Sequence, residues 1–171
     1  WVLFGTGSFL VDGDKTSKTT QSMYGLIDHD SAIPLQPSDL VNNTPSSWAT
    51  GTVSGMSVRT FKEASALSKT ASGWRVDLPA GERVVQDSQV VATYLITASV
   101  NPTGGSTDPC KPGGTGYINA LDAFSGTSAA SSYFDVNKSG GTKDDKLNNI
   151  AIGSIDVGMG MPTLPNLLRG L

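Results

Sequence analysis

The sequence has a single cysteine, Cys110, and a single histidine, His29, among its 171 residues. One cysteine cannot build an internal disulfide framework, and it cannot supply the several thiolates of a cysteine-based zinc site. Charge is also sparse, since Asp, Glu, Lys and Arg make up 16% of the chain and leave a net charge of −3. Nucleic-acid binders need a basic surface, so the composition argues against a nucleic-acid partner.

Long apolar runs are missing as well. No stretch approaches the roughly 20 apolar residues of a transmembrane helix, so no transmembrane segment is expected. The chain opens with Trp1 on an apolar stretch, without an initiator Met or the basic and apolar regions of a signal peptide. We therefore expect an excerpt from a longer precursor, with any secretion signal lying upstream.

Turn-forming residues are abundant, with 20 Gly and 9 Pro. Between them lie short segments rich in Val, Ile, Thr and Tyr, which favour β-strands. One stretch, residues 61–68 (FKEASALS), is the best candidate for a short helix. About eight to ten short strands with long loops predict an all-β sandwich, barrel or propeller. The predicted strands include residues 1–5, 22–28, 52–60, 74–78, 82–86, 89–100, 117–123 and 150–157.

One segment distinguishes among these all-β folds. Residues 117–126 read YINALDAFSG, which resembles the strand and turn of a blade in quinoprotein-type propellers. In such a turn Asp122 can accept backbone N–H bonds, and Gly126 can adopt a positive φ. The resemblance favours a propeller and carries no information about catalysis.

Further motifs occur in a fixed order around this turn. They are LFGTG at 3–7, QSMYGLID at 21–28, GWRVDLP at 73–79, GERV at 81–84, and DPC at 108–110 followed by Gly113 and Gly114. Together with the ALDA turn, this order resembles the C-terminal propeller of the PilY/PilC family of type IV pilus tip-associated proteins. The resemblance covers roughly residues 1 to 161.

The resemblance implies the fold, the location and the role of the chain. It implies a modified seven-bladed, quinoprotein-like β-propeller, of which residues 1–171 would be a C-terminal fragment of about three blades plus closing strands and a tail. The family is secreted and carried on the cell surface at the pilus tip, at the outer membrane. It acts without enzymatic activity in pilus assembly and extension, twitching motility and adhesion. The implied partners are minor pilins of the tip complex, the remainder of the propeller, and a host or abiotic surface ligand.

A polar loop, DVNKSGGTKDD at residues 135–145, resembles the calcium loop of this family. Calcium prefers six to eight oxygen ligands, and oxygen-bearing side chains at alternate positions can wrap around it. The family pattern is D-x-D-x-[DN]-G-x-x-D. By this resemblance the calcium ligands would be Asp135, Asn137, Ser139, Gly141, Asp144 and Asp145.

The loop departs from the pattern in ways that weaken the expected site. Positions 3 and 5 are Asn137 and Ser139, and position 9 is Lys143 instead of an acid. The closing carboxylate would come from Asp144 or Asp145, and the sequence leaves open which one. Lys138 and Lys143 would compete for the acids. The alternative is a polar hairpin loop between blade strands that binds no metal.

Other polar residues have simpler interpretations. Asp12 and Asp14 could offer carboxylates to a cation but lack a third acid, so a solvated loop is expected. His29 reads as part of a turn at a strand end. Cys110 could pair with a cysteine outside this chain. Residues Asp77, Glu82 and Arg83 flank a tight turn and suggest a local ion pair.

Two alternative functions remain open at this stage. The ALDA turn also occurs in quinoprotein dehydrogenases, so the chain could be a fragment of such an enzyme. That function would need a quinone pocket with calcium and an acidic base, and a single ALDA copy gives it little support. The other alternative is a structural propeller of a surface layer or matrix.

Overall fold

The computed structural model describes residues 1–30, 34–102, 114–158 and 160–163. Within these residues the chain forms short β-strands and two 3-10 helices, Asp12–Lys15 and Pro37–Asp39. The strands are β1 (Val2–Gly5), β2 (Ser22–Leu26), β3 (Val41–Asn42), β4 (Thr50–Val53), β5 (Met56–Arg59), β6 (Gly73–Asp77), β7 (Arg83–Val84), β8 (Gln89–Val91), β9 (Tyr94–Asn101), β10 (Thr115–Asp122), β11 (Lys146–Leu147), β12 (Ile150–Ala151) and β13 (Ser154–Asp156).

Two sheets contain most of the strands. The first has the order β1-β2-β6-β3, in which β3 is parallel to β6 and the other pairs are antiparallel. The second has the order β4-β5-β13-β10-β9-β7, with β8 also paired to β9. Its centre is the pair β9 and β10, which run antiparallel in register over eight residues each. A separate small hairpin joins β11 and β12.

Trp74 of β6 lies at the centre of the main hydrophobic cluster. Its ring is fully buried, and its Nε1 donates a hydrogen bond of 3.0 Å to the carbonyl of Ala123. A Cβ at Gly25 or at Gly126 would collide with the ring, so the two glycines make room for it. Because Ala123 and Gly126 follow β10, the tryptophan links the first sheet to the second. Other buried members of the cluster are Met23, Phe61, Val76, Leu78, Val84, Leu95 and Leu121.

A buried ion pair crosses the second sheet. The guanidinium of Arg59 on β5 donates two hydrogen bonds to Glu82, of 2.5 and 2.6 Å. It also donates to Asn119 of β10 and to Ser154 of β13. The ring centroids of Trp48 and Tyr117 lie 4.7 and 4.1 Å from the guanidinium carbon. Since Arg59 and Glu82 are only 3% and 1% exposed, this pair is part of the core.

Most predicted strands are confirmed, and some of them are divided. Residues 52–60 fall in a hairpin of β4 and β5 that turns at Ser54 and Gly55, both with positive φ. Residues 89–100 likewise contain a hairpin, of β8 and β9, and residues 150–157 contain β12 and β13.

The predicted helix at residues 61–68 is wrong. Phe61 is buried in the main cluster, and Leu67 also packs against it. The backbone between them follows the segment after β10, where the carbonyl of Lys62 accepts a bond from Ser128 N–H. Contacts with a neighbouring segment therefore override the local helix preference.

The sequence predicted no transmembrane segment and allowed an external partner for Cys110. Among the described residues, no helix is long and apolar enough to cross a membrane. Cys110 and the DPC motif lie outside the described residues.

Candidate functional site

The loop from Asp135 to Asp145 connects the segment after β10 to β11. Its base is fixed by Val136, whose side chain is buried in a small cluster with Val58 and Ile152. Just before the loop, the hydroxyl of Ser132 donates a hydrogen bond to the carbonyl of Ile152. At its last residue, the carbonyl of Asp145 accepts one from Ile152 N–H. Both ends of the loop are therefore attached to the same strand region.

The first half of the loop is wound around the carboxylate of Asp135. One oxygen accepts the N–H of Ser139 at 3.0 Å, and the other accepts the N–H of Gly140 at 3.1 Å. Gly140 has a φ of +85°, a conformation that suits glycine. Calcium loops of the EF-hand type need a glycine at this sixth position for the sharp turn. The local backbone therefore has the turn that the calcium pattern requires.

Hydrogen bonds link four of the predicted ligands on the exposed side of the loop. The hydroxyl of Ser139 lies 3.2 Å from Asp144 Oδ1 and 3.3 Å from the carbonyl oxygen of Gly141. Asn137 Nδ2 donates a 2.8 Å hydrogen bond to Asp144 Oδ2. The donation by Asn137, together with that of Ser139, holds the pKa of the Asp144 carboxyl below its ordinary value. Asp144 therefore accepts bonds from Asn137 Nδ2 and the Ser139 hydroxyl, while Asn137 Oδ1 is occupied by the N–H of Ser139 at 2.9 Å.

Asp145 has a different environment from its neighbour. Its side chain is buried, with the residue 1% exposed. Its Oδ1 accepts the backbone N–H groups of Val136 and Asn137 at 2.9 and 3.0 Å. Its Oδ2 has no hydrogen-bond donor among the described residues. The loop thus covers a buried carboxylate that is only half satisfied.

Hydrogen bonds connect Asn137, Ser139, Gly141 and Asp144, but within the described residues the buried Asp145 side chain bonds only to backbone N–H groups. Among the described residues, no group of three or more His, Cys, Asp or Glu side chains is arranged to hold a metal. Any cation here would depend on the amide of Asn137, the hydroxyl of Ser139 and the carbonyl of Gly141 in addition to the acids. Lys138 and Lys143 were expected to compete for these acids, yet neither forms an ion pair within the described part of the chain.

Asp14 serves as a cap for its own loop. Its Oδ2 accepts hydrogen bonds from the backbone N–H groups of Leu10 and Val11 and from the hydroxyl of Ser8. These hydrogen bonds lower the pKa of the Asp14 carboxyl from its ordinary value of 3.8, and the bond from Leu10 has the largest effect. Asp12 instead forms an exposed ion pair with Lys15.

The sequence suggested a local ion pair among Asp77, Glu82 and Arg83. The structure shows different partners for the last two residues. Glu82 pairs with Arg59, which lies 23 positions earlier in the chain. Arg83 instead donates to the carbonyls of Ser8, Asp14 and Ser17 and holds that loop against β7. Spacing in the sequence predicts ion pairs only between residues that are close along the chain. It does not indicate partners as distant as these.

His29 lies three residues after the end of β2, near the strand end at which the sequence places it. It is exposed, and its Nε2 is 3.2 Å from the carbonyl oxygen of Ala71. This contact gives it no acid–base partner.

The chain is similar to proteins of the type IV pilus system. It is 31% identical over 176 residues to the type IV pilus biogenesis factor PilY1 homolog of Xylella fastidiosa, in an alignment that covers 97% of this chain and 13% of that protein. It is 26% identical over 198 residues to the type IV pilus biogenesis factor PilY1 of Pseudomonas aeruginosa, with coverage of 99% and 17%. The chain thus spans less than a fifth of these relatives. No protein-family model matches it.

The fold is similar to that of a solved structure, the Pseudomonas aeruginosa PilY1 C-terminal domain. The TM-score is 0.72 at 20% sequence identity, and the match covers 90% of this chain and 35% of that domain. The similarity confirms the predicted fold class, an all-β chain that forms part of a β-propeller.

Proposed function

The chain belongs to the PilY1 family, and from this we propose that it is part of a non-enzymatic component of the type IV pilus machinery. The observation that carries the proposal is the similarity to pilus biogenesis factors along 97% of the chain. The shared fold supports it independently. Pilus assembly and extension are the proposed activities, and twitching motility and adhesion are their proposed consequences.

The proposed location is the cell surface, in a secreted protein carried at the pilus tip. The proposed partners are minor pilins of the tip complex, a host or abiotic surface ligand, and the remainder of the propeller. The match to 35% of a solved propeller domain supports the remainder of the propeller as a partner. The other 65% of that domain has no counterpart in the matched part of this chain. Blades of a propeller pack against neighbouring blades.

The pilus proposal is tested by deleting the codons for this chain from the gene that contains them. Surface pili are then sheared from the cells and measured by immunoblotting for the major pilin. We expect a marked loss of surface pili while the total cellular amount of major pilin is unchanged. Unchanged surface pili would contradict a role in assembly.

We further propose that the loop from Asp135 to Asp145 binds Ca²⁺. Two features of the loop support the fit: the winding of residues 139–140 around the Asp135 carboxylate, and the buried oxygen of Asp145, which has no donor in the part of the chain that the structure describes. Bound calcium would supply a positive charge that joins the two halves of the loop. With neutral donors at positions 3 and 5, we expect weak affinity, with a Kd of about 10⁻⁴ to 10⁻³ M.

Thermal unfolding with and without calcium tests the loop. A ligand that binds the folded state alone raises Tm, so millimolar calcium should raise the Tm of the chain. Asp135→Ala should abolish the rise, because it removes the carboxylate around which the loop is wound. Glu63→Gln changes an exposed acid elsewhere and should keep the full rise. No rise in the unmodified chain would remove the calcium site.

A further inference from the structure

The first sheet packs against the second with only one of its two faces. Leu3 of β1, Met23 of β2 and Trp74 of β6 all contribute to the main hydrophobic cluster between the sheets. Successive side chains of a strand point to opposite faces of the sheet. The neighbours of Leu3 on β1, Val2 and Phe4, therefore lie on the other face.

Four apolar side chains meet on this second face. The register places Val2 opposite Leu26 and Phe4 opposite Tyr24, and residues directly opposite in an antiparallel pair share a face. The rings of Phe4 and Tyr24 are stacked, with centroids 5.2 Å apart. Val2 and Phe4 are exposed, and Tyr24 and Leu26 are half-buried. We call these four residues the outer face of the first sheet.

A groove runs along the outer face. One of its walls contains Phe4, Tyr24 and Leu26, and the other is the segment of residues 35–40. Its volume is about 300 Å³, at the lower end of the range for small-ligand pockets of about 300–1,000 Å³. None of the described residues that line it is charged. The groove therefore suits uncharged, mainly apolar side chains.

The first sheet is thus apolar on both faces, and the described residues cover only one of them fully. A sheet buries an apolar face against another layer of secondary structure. The match to the solved propeller domain covers 90% of this chain and 35% of that domain. Most of that propeller is therefore available to supply the missing layer.

Resting on the proposed remainder of the propeller, we propose that a further sheet of the same polypeptide, from outside this chain, packs on the outer face. It would lie about 10 Å from the first sheet and insert apolar side chains into the groove. This contact is the counterpart of the one that Trp74 makes on the opposite face. A strand added to the edge of β1 would differ from it, because that strand would bond to the backbone and leave the Phe4 side chain exposed.

Hydroxyl-radical footprinting of the whole purified protein that contains this chain tests the outer face. Mass spectrometry gives the oxidation rate of each phenylalanine relative to its rate in the unfolded protein. Phe61 is 1% exposed and Phe124 is 43% exposed, so they are the buried and exposed references. With an exposure of 36%, Phe4 would resemble Phe124 if nothing covered it. We expect Phe4 to be oxidised as slowly as Phe61 and several-fold more slowly than Phe124.

Two results would overturn the proposal. Equal oxidation rates at Phe4 and Phe124 would show that the outer face is open. Protection of the β1 backbone amides from hydrogen exchange, with Phe4 still reactive, would show an added strand instead. Neither result depends on counting surface pili, so failure of this proposal can be distinguished from failure of the pilus role.

A second measurement identifies what covers the outer face. The photoreactive amino acid benzoylphenylalanine replaces Phe4 in the whole protein, and the cross-linked peptides are mapped after irradiation. We expect a cross-link within one polypeptide, from position 4 to a residue outside this chain. A cross-link between two copies, or only to residues of this chain, would overturn the proposal.

Discussion

Arg59 has the largest number of side-chain partners in the core described above. Its guanidinium contacts Glu82, Asn119 and Ser154 and lies between two aromatic rings. It therefore joins β5 to β10, to β13 and to the turn before β7. Nothing in the local sequence around residue 59 indicates the three hydrogen-bond partners, because they lie between 23 and 95 positions away.

Removing this arginine should destabilise the chain strongly. Arg59→Met leaves the Glu82 carboxylate buried with only the Ser99 hydroxyl described as a donor, and breaking such a pair costs about 3–5 kcal/mol. Arg75→Met removes a partly exposed pair with Asp77, which is worth about 0–1 kcal/mol. Chemical denaturation measures both free energies of unfolding. Equal small losses in the two variants would show that the buried pair is dispensable.

Asp14 makes the stability of the folded chain depend on pH in the acidic range. Its pKa in the folded chain is lowered from 3.8, chiefly by the Leu10 N–H, then by the Val11 N–H and the Ser8 hydroxyl. A carboxyl group whose pKa is lowered by folding stabilises the folded chain above its unfolded pKa. This stabilisation disappears as the pH falls through the folded pKa. The Tm difference between the unmodified chain and Asp14→Asn should therefore be constant near neutral pH and shrink below about pH 4.

The pH profile has a control in the same loop. Asp12→Asn removes an exposed pair with Lys15 and no backbone bond, so its Tm should follow that of the unmodified chain. A Tm difference for Asp14→Asn that stays constant down to about pH 2 would contradict the capping role.

The turn after β10 is the element that the sequence predicted most fully. Asp122 Oδ1 accepts the N–H groups of Phe124 and Ser125, and Gly126 has a φ of +68°. Both features follow from local chemistry, since a short acid bonds to nearby N–H groups and glycine adopts positive φ. The close approach of Trp74 to Gly126 comes from a residue 52 positions away and could not be predicted from the turn.

Gly126→Ala should therefore be more harmful than a typical change at a turn. It forces a residue with a Cβ into positive φ and places that Cβ 2.3 Å from the Trp74 ring, so we expect a loss above about 1–2 kcal/mol from conformation alone. Gly13→Ala is the matched control, because a Cβ there meets nothing within 4 Å. Comparable unfolding midpoints for the two variants would contradict the packing described for Trp74.

The segment after β5 shows where local prediction fails. Residues 61–68 have a helical composition, yet they form no helix because Phe61 is buried and the backbone bonds to the segment after β10. A polar loop at residues 135–145 was predicted from its local pattern, and its metal ligands stay a prediction. The burial of Asp145 was not predicted, because it depends on packing of the loop over β11 and β12.

In the whole molecule, the outer strand of the first sheet is exposed and apolar. β1 pairs with β2 on one side, and its residues Val2 and Phe4 are exposed, as is Trp1 before it. Exposed strand edges with apolar side chains favour association with another strand. This surface accords with a chain that matches about a third of a larger propeller domain, and it supports the proposal that further blades complete the fold.

The most direct measurement counts surface pili in cells whose only copy of the gene carries Asp135→Ala. This substitution alters the proposed calcium loop and leaves the Trp74 cluster and the Arg59 pair unchanged. Compared with cells carrying Glu63→Gln and equal amounts of the encoded protein, we predict fewer surface pili. Equal numbers of pili in the two strains would contradict a role for the loop in pilus biogenesis.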